Sequence, residues 1–142
     1  MAGVRGVTWP VFRILMSLTA VAGVVQIFLA GRGVFGIRGS ANLDHQSSLD
    51  PHRTLGDIIG IAAIVLFLLA LILWNRRLIG WTALLVVLTE FVQHATATQK
   101  HPWLAGVHPV SGVAIVAILG WLSGSLWREA RSASARISVE AG

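Results

Sequence analysis

Four apolar stretches, each close to the roughly 20 residues a helix needs to cross the hydrocarbon of a bilayer, constrain this chain more than anything else in it. They run over 11–30, 54–74, 78–97 and 109–127. Lipid offers no hydrogen bonds to a peptide group, so such segments must close their backbone bonds internally and become helices. Composition agrees: 55% of the 142 residues are hydrophobic and 12% are charged, too few charges to coat a soluble domain of this size. The expected fold is all-α, a four-helix transmembrane bundle running up-down-up-down over residues 1–128. The Ser/Ala/Arg-rich segment 129–142 is expected to fray as a flexible cytoplasmic tail. Short connections make the first and third helices diagonal in such a bundle, and likewise the second and fourth.

The first stretch has Arg5 ahead of it and small residues near Ala30-Gly31, as a signal peptide does, but it is long for one and lacks a small-x-small cleavage site. It is read as a retained anchor. Basic residues set the orientation. With the N-terminus inside, Arg5, Arg13, Arg76, Arg77, Arg128, Arg131 and Arg136 face the cytoplasm, against Arg32, Arg38, Arg53 and Lys100 outside. That bias favours two cytoplasmic termini. Trp9, Trp74, Trp81 and Trp127 then form an aromatic belt on the inner side, and Trp103 anchors the outer side. The net charge of +5 is accounted for by these segment ends, with no basic stripe interleaved with aromatics, so nucleic acid is not an expected partner.

Cysteine is absent, which excludes disulfides, thiolate clusters and cysteine nucleophiles. Any metal must be held by nitrogen or oxygen, and histidine is the main donor left. All five histidines fall at the outer end of the bundle. Two of them open the second and fourth spans with one pattern, His52-Arg-Thr-Leu-Gly56 and His108-Pro-Val-Ser-Gly112. Asp50 is the expected N-cap of the second helix and Pro51 its first helical residue. His52 and His108 then stand at matched depth on diagonal helices. A bis-histidine haem b suits that layout, because glycine one turn below each ligand removes the side chain that would strike the porphyrin face. Inward-facing histidine in a membrane bundle is costly unless it is paired or ligated. Arg53, Arg38, Lys100 and Trp103 are candidates to meet the propionates. The bland alternative is that these histidines are solvated at the interface, and that Gly56 and Gly60 serve helix packing.

Further polar residues cluster nearby. Glu90 and His94 lie one turn apart on the third span, where they could share a metal or bond each other. His94 is therefore a candidate third ligand, and a non-haem ion held by His52, His94, His108 and Glu90 is the alternative cofactor. Asp57 is placed to pair with Arg53 at i+4. Gln26 and Gln93 occupy like depths in the two hairpins, able to bond a buried carbonyl, a quinone or a haem edge. His45 and His101 are loop residues and weaker candidates. The outer connection over 31–50 is long enough to act as a cover. Each hairpin thus carries a glutamine late in its ascending helix, an outer loop, and His-x-x-x-Gly at the head of its descending helix, an internal symmetry common in membrane bundles that hold a ligand between repeats.

Gln26, the Asp50-Pro51-His52-x-x-x-Gly56 segment, Gln93 and the His108-Pro109 pair resemble a family of small four-helix bacterial membrane proteins of unassigned function. They also look like one half of haem A synthase and, more distantly, the cytochrome b561 class. That resemblance implies axial ligation of a b-type haem by His52 and His108. It departs from the two-haem b561 pattern, since no histidine lies in the cytoplasmic half. The expected function is a single-haem electron carrier at the extracytoplasmic surface, with a quinol or an extracytoplasmic redox protein as partner. The alternatives are a non-catalytic accessory subunit of a larger membrane complex, or a non-haem metal protein. A homodimer would supply the second half of a haem A synthase.

Overall fold

A computed structural model describes residues 2–39, 49–97 and 102–140. Its elements are α1 (Ala2–Gly39), α2 (Asp50–Leu73), α3 (Arg76–Val86), a π-helical turn (Val87–Val92), α4 (Gln93–Thr96) and α5 (Pro102–Glu140). The π-turn and its two flanking helices run on as one span, so the chain makes four helical spans. All four are long and apolar enough to cross a membrane, and the described residues contain no strand. The span of α3 to α4 packs against both α2 and α5, as does α1, whereas among the described residues the backbones of α2 and α5, and of α1 and the third span, stay apart. The bundle is therefore up-down-up-down, with the expected diagonals.

Local chemistry explains the tight join between α2 and α3. Trp74 closes α2 in the left-handed conformation at φ 54°, its N–H returning to the Leu71 carbonyl. Asn75 then caps α3, its side-chain oxygen accepting from the Leu78 N–H at 3.2 Å. The other helix ends differ from expectation. Leu49, not Asp50, is the N-cap of α2, with no side-chain cap bond, while the Asp50 carboxylate accepts from Arg53 at 3.4 Å.

The outer helices are longer than hydropathy indicates. Gly31–Gly39 continues α1 instead of opening a loop, which leaves a shorter connection between α1 and α2. Glycine lowers helix propensity by about 1 kcal/mol but does not forbid a helix already propagating. The fourth helix begins at Pro102 instead of His108 and carries Pro109 inside it. Pro109 lacks only the N–H that would reach the Ala105 carbonyl, and α5 runs through. It also runs on to Glu140, so the polar segment after Trp127 is helical over 129–140. Ala130, Arg131, Ala133, Ala135 and Arg136 are good helix formers, and neither glycine nor proline interrupts them.

The core is a column of Phe12, Met16, Leu66, Leu85, Leu119 and Leu122, all fully buried. Thr82, Thr89 and Thr96 recur every seven residues on the buried face of the third span. Each returns its hydroxyl to a carbonyl one turn back, at 2.7, 3.0 and 2.6 Å, which removes a buried polar cost while keeping the helix surface small. Truncating Leu66 to alanine is expected to cost about 2–5 kcal/mol, the range for a buried leucine, whereas truncating exposed Ile61 should leave stability nearly unchanged. Reversible unfolding in mixed detergent measures both.

Candidate functional site

His52 and His108 come together as the spacing predicts, although the helices that carry them are diagonal. Their ring centres lie 6.1 Å apart, with the planes inclined at 71°. What orients them is a reciprocal clasp that appears twice. In the first, the Gln26 side-chain amide donates to the His52 carbonyl at 2.7 Å, and His52 Nδ1 donates back to the Gln26 carbonyl at 3.3 Å. In the second, Gln93 donates to the His108 carbonyl at 3.1 Å, and His108 Nδ1 donates to the Gln93 carbonyl at 3.2 Å. A carbonyl only accepts, so Nδ1 carries a proton in both rings, and in the neutral imidazole Nε2 is then the nitrogen with the lone pair. Among the described residues neither Nε2 is hydrogen bonded.

The glycines of the two motifs lie beside these clasps. A Cβ on Gly56 would stand 3.0 Å from the Gln26 amide nitrogen, and one on Gly112 would stand 3.4 Å from that of Gln93. Gly56 thus makes room for the glutamine that grips the histidine one turn before it, while at Gly112 a Cβ would reach only ordinary contact with Gln93. Gly60 serves a different neighbour: the Glu90 carboxylate lies so close to its Cα that any side chain would displace it. Glu90 belongs to the π-turn, a local widening of the helix often found at functional sites.

Ser111 was not foreseen. It is buried, accepts from the Gln93 amide at 2.9 Å and donates to the His108 carbonyl at 3.0 Å, which gives the second clasp two further hydrogen bonds. Its place three residues after His108, on the same helix face, was the available signal. Thr96 adds a long contact of 3.5 Å to His108 Nδ1.

Other expected positions lie apart from the pair. His94 Nδ1 contacts the Thr89 carbonyl at 3.2 Å, and its Nε2 is 3.9 Å from Asp57. Asp57 therefore faces His94, and Arg53 takes Asp50 in its place. Among the described residues no three His, Asp or Glu side chains converge as a metal cluster, so His52, His94, His108 and Glu90 do not assemble into one. Trp103 is exposed and forms no lid. His45, Lys100 and His101 lie outside the described residues, as does the Arg38 side chain.

The fold and this site define a four-span helical bundle with two glutamine–histidine clasps at one end. The chain belongs to a family of unknown function, DUF6220, whose model matches residues 26–99. That match starts at Gln26 and takes in the whole first clasp, Glu90, Gln93 and His94, and stops short of His108. Neither a curated protein nor a solved structure matches the chain.

Proposed function

We propose that this chain is an integral membrane protein holding one b-type haem between His52 and His108, near the extracytoplasmic surface, and that it takes part in electron transfer there. One observation carries the reading: two imidazoles on diagonal helices, each with Nδ1 donated to a backbone carbonyl and Nε2 left free. Metal-bound histidines almost always donate their other ring nitrogen in this way, which settles the tautomer and strengthens the ligand. The spacing fits as well. With ring centres 6.1 Å apart, His52 and His108 are near enough that both would hold one metal-bearing group.

A haem bound there would supply one-electron chemistry. The residues of the chain do the rest. Gln26 and Gln93 set the tautomer and pitch of the two rings through their carbonyls, and Ser111 stiffens the second clasp. One cofactor near one surface leaves most of the roughly 30 Å of hydrocarbon unspanned, so the partner meets the protein on the histidine side, as a quinol or an extracytoplasmic redox protein. A second reading, an accessory subunit of a larger membrane complex, draws on the clasps themselves, which fasten α1 to α2 and the third span to α5 without any ligand.

An absorption spectrum of the detergent-solubilised protein from a haem-replete host separates the two. The haem reading expects a Soret band and a sharp band on reduction, and their absence would overturn it. His94→Ala is expected to leave that spectrum unchanged, because His94 is held by Thr89 and Asp57. A shift to a high-spin spectrum in this variant would make His94 a ligand and displace the His52/His108 assignment.

A further inference from the structure

At the end of the bundle opposite the histidines, Arg13 is the one cation among the described residues with a buried nitrogen that has no hydrogen-bond acceptor. Arg13 sits on α1 between Phe12 and Ile14, level with Trp127 of α5. Its guanidinium carbon lies 5.5 Å from the Trp127 ring centre, and its Nε is buried with no hydrogen bond. Trp127 is pinned in that position, since its indole N–H donates to Ser17 Oγ at 2.9 Å, and Ser17 Oγ is 2.8 Å from Ser123 Oγ. Glu129, a carboxylate at this end, is taken by Arg77 at 3.0 Å. Among the described residues no carboxylate pairs with Arg13.

A guanidinium offers five N–H donors in a fixed fork that matches a phosphate, and its buried Nε lacks an acceptor here. The surroundings are of one sign: Arg5, Arg13, Arg76, Arg77, Arg128, Arg131 and Arg136 share this end with only Glu129 and Glu140. From the level of Arg13, an exposed apolar stripe on α1, including Ile14, Leu18 and Val21, runs toward the middle of the bundle. A Cβ on Gly120 of α5 would meet open space.

We infer that Arg13 and Trp127 form a binding site for the phosphodiester headgroup of an anionic phospholipid, whose acyl chains lie along the outer face of α1. The site rests on the membrane-spanning reading and is independent of the haem. Basic pockets between helices on the cytoplasmic side are where such headgroups are held, and the arginine end is the cytoplasmic one by the basic-residue bias.

Native mass spectrometry of the full chain in detergent, with dioleoyl-phosphatidylglycerol or dioleoyl-phosphatidylcholine added, tests it. The wild type is expected to retain the anionic phosphatidylglycerol selectively. Arg13→Gln should lower that retention about fivefold, the equivalent of about 1 kcal/mol for one basic residue near an anionic headgroup, while Arg53→Gln, which removes the same charge at the other end, should not. Excess inorganic phosphate should fail to displace the lipid. Equal retention of the two lipids by the wild type overturns the proposal without recourse to a variant that must fold. Equal loss in Arg13→Gln and Arg53→Gln, or displacement by inorganic phosphate, also overturns it.

Discussion

Replacing His52 or His108 with alanine is expected to abolish the low-spin haem spectrum of the purified protein, each substitution alone being sufficient. On the haem reading both imidazoles would be needed to hold the group, and with one gone a single protein ligand would remain. The clasps should survive in part, because Gln26 and Gln93 grip the backbone carbonyls of residues 52 and 108, which alanine retains. A variant that keeps its helical circular dichroism and loses its Soret band is the expected result. An unchanged spectrum in both variants would mean that neither histidine is an axial ligand. Haem lost together with helicity would place the histidines in folding alone.

Gly56→Leu carries the second large effect, on stability. At this position even a Cβ would stand 3.0 Å from the Gln26 amide nitrogen, so a branched side chain must drive that amide from the His52 carbonyl and part α1 from α2. Overpacking a close helix contact costs about 1–3 kcal/mol, to which the lost interhelical bond adds about 0.6 kcal/mol. Gly80→Leu is the matched control, since a Cβ there meets nothing within 4 Å, and its stability should stay within about 0.5 kcal/mol of the wild type. Unfolding midpoints in mixed detergent measure the difference. The same displacement pulls the Gln26 carbonyl from His52 Nδ1, so haem affinity should fall about 10–100-fold, the usual effect of removing the partner that orients a metal-bound histidine. Equal stability of the two leucine variants would show that the glycine is not needed for the clasp.

Much of this arrangement is readable along the chain. Four apolar runs separated by Arg76-Arg77 and by polar loops yield four spans and their order, and the repeated His-x-x-x-Gly places both histidines at one end. Helix ends are less legible. Gly31, Gly33, Gly36 and Gly39 suggest turns, and Pro109 suggests a start, yet α1 and α5 continue through them because an established helix adds residues at small cost. The partners of the polar residues are the least legible. Arg53 could pair with Asp50 or Asp57, both one turn away, and the approach of His94 from the third span leaves Asp57 facing that ring. Ser111 and the contact of Glu90 with Gly60 likewise depend on which face a neighbouring helix presents.

Hydropathy by itself determined the number of helices and the end at which the histidines stand, because the cost of immersing a polar group depends on its position along the helix axis. Rotation about that axis was left open: lipid is as apolar as a leucine core, so burial against a neighbouring helix or against acyl chains differs little. Only the tertiary structure brought the two imidazole ring centres to within 6.1 Å of each other. Close packing at Gly56 admits the Gln26 amide, and the bonds that the two glutamines make select one rotation of each helix from several that are equally greasy.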